Sequence, residues 1–221
     1  MFFLDGKSNI QLGLIAEEET FVARAPIIYD EISVDYKDGS DFIEKKYANV
    51  TGSMNVYFTK KKKIDEIMSL LTGTHELVYK DRKTTIRFYD LIEINRFGSI
   101  QSATVNFIRS PFWYPKNETC ISLKGSGYIS NCGNVYSKPK IILEGTGKSV
   151  IKINHITFEY DFDEDGKVII DCEEKTESFN NKSKSKNIKI GFEYPILTSG
   201  TNFVEVSEGT TIKIYRKDRW L

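Results

Sequence analysis

The sequence predicts a mainly β protein, in which an α+β first half with one helix is followed by an all-β second half. Three observations predict it. "VTGSMNVYF" at 50–58 sets Val50, Gly52, Met54, Val56 and Phe58 on one side of a two-residue repeat, as a half-buried strand requires. Ile64, Ile67, Met68 and Leu71 recur at helical spacing. Beyond residue 137, seven short runs rich in β-branched and aromatic residues follow one another, separated by Gly, Asn, Asp and Ser.

The elements follow in order. After the 50–58 strand, Thr59 offers a side-chain cap to a helix of about three turns that "TG" at 72–73 stops. "ELVYKD" and "TTIRFYDLIEI" then read as strands, and across the turn "NRFGS" the latter pairs with "IQSATVNFIRS", where Ala103, Val105 and Phe107 alternate with Thr104 and Asn106. In the second half the runs are "KPKIILEG", "SVIKIN", "ITFEYDF", "KVIID", "NIKIGFEY", "NFVEV" and "TIKIYR", a spacing that suggests a β-sandwich. The Lys- and Ser-rich stretch 178–187 reads as an exposed loop. Between the halves stands "RSPFWYPKNE", residues 109–118, with Phe112, Trp113 and Tyr114 bracketed by Pro111 and Pro115. Two prolines remove two backbone donors and break strand pairing, so the chain divides into 1–116 and 117–221.

Composition removes several function classes. The chain has 221 residues with 31 basic and 31 acidic side chains, 16 of each within 1–116 and 15 of each beyond. A protein that neutralises phosphates carries a basic surplus, and neither half does; the run Lys60–Lys63 reads as a solvated helix start. "MFFLD" lacks the basic segment and apolar length of a secretory signal, and no apolar run reaches the roughly 18 residues of a membrane span, so a cytoplasmic protein is expected. Cys120, Cys132 and Cys172 are odd in number and form no C-x-x-C pair, which argues for reduced thiols over a disulfide framework or zinc site.

Chemical motifs fail on inspection. Asp161, Asp163, Asp165 and Gly166 match the start of a calcium loop, but the twelfth position is Cys172 where a bidentate Glu is needed, and strands flank it. "DEDG" therefore reads as a hairpin turn between "ITFEYDF" and "KVIID". His75 and His155 are the only histidines, with no H-E-x-x-H, nucleophile elbow or P-loop around them, and His155 reads as a turn residue. No catalytic residue, metal ligand or cofactor is predicted. A sugar-stacking platform could use Trp113, Tyr114, Tyr128, Tyr136 and Trp220, but large aromatics more often serve cores and interfaces.

One family matches the order of these features. "VDYKDGSDFIEKKYANVTGSMNVYF", "KKKIDEIMSLLTGTHELVYKD" and "ATVNFIRSPFWY" resemble the N-terminal domain of the distal tail (Dit) proteins of long-tailed bacteriophages. "CGNVYSKPKIILEGTG", "GKVIIDCEE", "YPILTSGTNFVEV" and "IYRKDRW" are similar to that family's C-terminal galectin-like sandwich. The resemblance implies a non-enzymatic virion component: a homohexameric ring at the tail tip, assembled in the host cytoplasm, that joins the tail-tube proteins to the baseplate hub. Residues 1–116 would build the belt around a channel through which DNA passes in transit, and 117–221 would project outward. No membrane partner is implied, and the length leaves no room for an inserted carbohydrate-binding module. Phe112, Trp113 and Tyr114 would pack the interdomain joint. Glu17, Glu18 and Glu19, the densest acidic run of the first half, would line the channel, or sit in a solvated loop or an intersubunit ion pair. The alternative to the adaptor is a stand-alone two-domain carbohydrate-binding protein.

Overall fold

The computed structural model describes residues 1–59, 64–98, 100–179, 182–183, 188–190 and 193–221, with backbone alone for 18–19, 163–165, 179, 182–183 and 188–190. The described residues form two compact units, Met1–Lys116 with Leu221, and Asn117–Trp220.

The first unit contains β1 (Phe2–Leu4), β2 (Lys7–Ser8), α1 (Asn9–Leu12), β3 (Leu14–Ala16), β4 (Ile27–Ser33), β5 (Ser40–Tyr47), β6 (Val50–Phe58), α2 (Ile64–Leu70), β7 (Gly73–Tyr79), β8 (Arg82–Phe88), β9 (Asn95–Phe97), β10 (Ile100–Arg109) and β11 (Tyr114–Pro115). One antiparallel sheet runs β2-β1-β7-β8-β10-β6-β3, with β11 added to β8 and β9 to β10. Alternation dictates its inner face: Met54, Val56 and Phe58 of β6 and Ala103, Val105 and Phe107 of β10 are buried. Gly52 occupies the same face because a Cβ there would stand 2.7 Å from the Phe107 ring. Helix α2 buries Ile67, and Leu71 just beyond it is buried too, the stripe its spacing predicts.

Several elements depart from the sequence reading. The Thr59 hydroxyl donates to the Gly13 carbonyl at 2.9 Å, where β6 lies beside β3, and the amides that it would cap fall outside the described residues. The expected helix start at Lys60–Lys63 lies outside the described residues. Helix α1, too short to show a period, is held by a capping box between Ser8 and Gln11 and closed by Gly13 at φ 74°. Strand β8 ends at Phe88, so β10 meets it only through Phe107–Arg109 and meets β9 at its other end.

The β1–β2 turn is tied to β7 by Asp5, whose carboxylate accepts from the Glu76 amide at 2.9 Å and lies 2.7 Å from His75 Nδ1. The hydrogen bond with His75, then that with the Glu76 amide, holds the Asp5 carboxyl below its ordinary 3.8. A depressed carboxylate contributes stability that is complete above the unfolded value and is lost as pH falls through the folded one. Asp5→Asn is therefore expected to lower the melting temperature at pH 7 by an amount that shrinks below pH 3.8. Asp5 is half exposed, so the loss at pH 7 stays under about 1 kcal/mol. A Tm difference that did not change between pH 7 and pH 3 would remove the carboxylate's role.

The second unit contains β12 (Cys120–Lys124), β13 (Gly127–Asn131), β14 (Lys140–Ile153), β15 (Ile156–Asp171), β16 (Thr176–Phe179), β17 (Lys182–Ser183), β18 (Ile188–Ile190), β19 (Gly200–Val206) and β20 (Thr211–Tyr215). Four of the runs read as separate strands are two long ones. "DEDG" is not a hairpin turn: residues 156–171 continue as β15, antiparallel to β14 along its whole length, with the register shifting between Gly145 and Gly147. Gly166 pairs with Gly145 at that irregularity, so the ribbon bends with little side-chain crowding and does not reverse. The true reversal is at Asn154 and His155, with Asn154 at φ 55°. Each half of the ribbon then collects different partners. One half joins β12, β20, β16 and β17; the other joins β13, β19 and β18. The resulting layers close on a core that includes Leu143, Ile151, Phe158, Tyr160, Ile170 and Ile214. Of the stretch 178–187, Ser178–Phe179 and Lys182–Ser183 pair as β16 and β17, and the rest lies outside the described residues.

Candidate assembly surface

The aromatic stretch 112–114 is fixed by a buried arginine. Arg109, the last residue of β10, points inward by the alternation of its strand and is fully buried. Its Nη1 donates to the Ser110 carbonyl at 2.7 Å, and its Nη2 donates to the Ala23 carbonyl at 2.7 Å. Ala23 follows the 3-10 turn Glu18–Val22, so the cation sits where unpaired carbonyls concentrate. The guanidinium also lies over Trp113, 4.9 Å from the ring centroid, and Trp113 is 5% exposed. Burial pushes the Arg109 pKa down to about 10, which leaves it charged at neutral pH.

Its neighbours are held on either side. The Phe112 carbonyl accepts from Thr84 Oγ1 at 2.8 Å, and its ring meets Tyr47 edge-on at 5.2 Å. Tyr114 pairs with Lys83 on β8. All three aromatics thus make these contacts within the first unit, and Trp113 belongs to its interior. An open stacking platform needs an exposed ring, and Trp113 is not one.

The acidic run begins with Glu17, which is exposed and whose Oε2 accepts from Asn55 Nδ2 at 3.2 Å. Glu18 and Glu19 lie on the 3-10 turn, and their side chains fall outside the described residues. Among the described residues no group of three or more His, Cys, Asp or Glu converges as metal ligands would. The three thiols are free, Cys120 and Cys132 exposed and Cys172 buried.

The most conspicuous surface was not singled out by sequence. β4 and β5 form a two-stranded sheet joined by ladder hydrogen bonds to no other strand among the described residues. Pairing of Glu31 with Phe42 and of Tyr29 with Glu44 puts these four side chains on one face; Ile32 and Ile43 occupy the other with Asp30 and Asp41. Tyr29, Ile32, Phe42 and Ile43 are all exposed. An isolated hairpin is marginal in water, and apolar side chains on both faces give it no single side to bury. At its base, Ala25, Pro26, Ile27, Tyr29 and Phe42 line a groove of about 460 Å³ that Arg24 and Glu44 rim. The signal that could have found it is the reverse of amphipathicity: apolar residues through 27–47 with no consistent face.

No protein-family model matches the chain, and no curated protein matches it. Among solved structures it is similar to the SPP1 Dit (gp 19.1) protein, described as a paradigm of the hub adsorption apparatus in phages infecting Gram-positive bacteria. The TM-score is 0.80 at 12% identity, over 100% of this chain and 98% of that one. A chain of the phage p2 baseplate, in its activated conformation with Sr, aligns over 86% of each chain at 6% identity and a TM-score of 0.39. The protein is therefore Dit-like in fold along its whole length.

Proposed function

We propose that the protein is a distal tail adaptor of a bacteriophage or tail-like particle, a structural component of the tail tip with no catalytic role. The observation that supports it is the match to the SPP1 Dit fold over 100% of this chain, which takes in both units. On this reading six copies close into a ring through heterologous contacts, with residues 1–116 as the belt and 117–221 as the outward galectin-like sandwich. The ring joins the tail tube to the baseplate hub after assembly in the host cytoplasm. DNA passes through its centre, and Glu17 with its two acidic neighbours supplies part of a negative lining along which DNA slides without the counterion-release attraction of a basic surface. Phe112, Trp113 and Tyr114, anchored as described, stiffen the exit from the belt.

Negative-stain imaging of the purified chain, alone and mixed with its tail partners, is expected to show sixfold rings with a central hole. A chain that stayed monomeric at high concentration and was absent from purified particles would replace this reading with carbohydrate binding. One feature favours that second reading: Tyr128 is 73% exposed and packs against Phe203 at 5.3 Å, which leaves one broad aromatic surface open on the second unit.

A further inference from the structure

His75 sets both of its ring nitrogens against oxygens that accept. Its Nδ1 lies 2.7 Å from Asp5 Oδ2 in the β1–β2 turn, and its Nε2 lies 2.8 Å from the Thr72 carbonyl, where the chain passes from α2 to β7. A carboxylate and a peptide carbonyl have no proton to give, so each contact requires an N–H on the ring. Neutral imidazole has one N–H, and imidazolium has two. The opposite assignment, a protonated Asp5, is disfavoured because the other carboxylate oxygen accepts from the Glu76 amide at 2.9 Å. The geometry is that of a histidine carrying both protons.

The surroundings fit that charge. Alternation along β7 gives His75 the inward parity of Leu77, and its side chain is 11% exposed, with the Phe88 ring of β8 6.0 Å away. So sheltered, its two hydrogen bonds meet little competition from water. Helix α2 has no basic side chain in its last turn, so an imidazolium reaching back to Thr72 supplies the cation that a helix end favours. Among the described residues, Asp5 is the charged group that faces the ring. The others on the packed elements are engaged or turned away. Lys7 of β2 lies 3.5 Å from Glu66 of α2, and Glu76, of opposite parity on β7, lies 3.7 Å from Lys83 of β8. Asp65 stands in the first turn of α2, Arg82 at the far end of β8, and Arg87 on its outer side.

We propose that His75 is a proton-dependent latch, fastening the end of α2 to the β1–β2 turn as an imidazolium and releasing it as neutral imidazole. With one N–H left, the ring keeps it toward Asp5, since a hydrogen bond to a carboxylate is stronger than one to a neutral carbonyl. Nε2 then turns a lone pair on the Thr72 oxygen 2.8 Å away, and the two repel. The turn can yield there, because the next residue is Gly73 at φ 90°. Linkage fixes the signs: Asp5 opens the latch from the acid side by taking up a proton, and His75 opens it from the alkaline side by giving one up. The latch lies within the first unit and does not depend on the ring.

The chain has two histidines, so His155→Gln leaves His75 as the one imidazole in a nitrogen-15 spectrum of the full chain. At pH 7 both ring nitrogens of His75 are expected to carry protons. As the pH is raised, Nε2 is expected to lose its proton and Nδ1 to keep it, the tautomer that Asp5 selects. Over the same range, amide exchange across Ile67–Leu71, corrected for intrinsic chemistry, is expected to quicken about tenfold relative to β6, as for the loss of one hydrogen bond to a charged group. His75→Gln, whose single side-chain nitrogen cannot face both oxygens, is expected to exchange fast at every pH and to show no step. A single ring proton at pH 7, a proton retained on Nε2 at higher pH, or an exchange step that survives in His75→Gln would each overturn the latch. Should His75→Gln fail to fold, Asp5→Asn is the second variant: without the carboxylate, His75 is expected to hold one proton at pH 7, and two would refute the role given to Asp5.

Discussion

Arg109→Ala is expected to lower the stability of the first unit by about 3 kcal/mol, within the range for truncating a large buried side chain to alanine. Three losses combine. The carbonyls of Ser110 and Ala23 lose donors at 2.7 Å, a loss that water offsets in part because Ser110 is half-buried and Ala23 exposed. Trp113 loses the cation over its face at 4.9 Å, and the missing volume opens a cavity beside it. Lysine is not a remedy, because one ammonium cannot reproduce a planar fork that reaches two separate carbonyls. Each unit carries one of the two tryptophans, so Trp113 fluorescence in a Trp220→Phe background follows the first unit. A loss under about 1 kcal/mol in a urea titration would show that the guanidinium does not hold this region.

The same residue shows where sequence stops being legible. Alternation placed Ala103, Val105 and Phe107 inward, and Arg109 continues that parity, yet an arginine at a strand end reads by type as exposed. Its partner Ala23 lies 86 residues away, a separation no local pattern encodes. Elements that bury one face were readable: β6, β10 and α2 occur where their periods predict them. The hairpin β4–β5 buries neither face and so left no period. In the second unit Gly and Asp at 163–166 carry ordinary turn chemistry, but the β14–β15 ladder continues on both sides and overrides it. What decided between turn and bend was the glycine on the opposite strand, and strand pairing is not local information.

The second large effect is expected from Gly133→Ala in the second unit, at about 3 kcal/mol, the upper part of the range for overpacking. Its cause is space: a Cβ at position 133 would overlap the Arg219 carbonyl oxygen and lie 2.7 Å from its backbone nitrogen. Backbone cannot rotate away as a side chain can, so one of the two segments must move. Both are tethered. The Gly133 amide donates to Asn131 Oδ1 at 2.9 Å, and its carbonyl accepts from Ser199 Oγ at 2.6 Å. On the other side the Arg219 guanidinium lies 4.4 Å from the Tyr136 ring centroid, and Arg216 pairs with the buried Asp218 at 3.0 Å. Accommodating one methyl therefore breaks contacts on whichever segment yields, and in a densely packed interior that strain spreads beyond the site. Ser199→Ala serves as the comparison: it removes one hydrogen bond without crowding and is expected to cost about 1 kcal/mol. Trp220 fluorescence in a Trp113→Phe background reports the second unit's urea transition. If Gly133→Ala matched Ser199→Ala or fell below it, the close approach of residues 133 and 219 would be wrong, and the terminal "KDRWL" would not be clamped against the 131–136 turn as the structure has it.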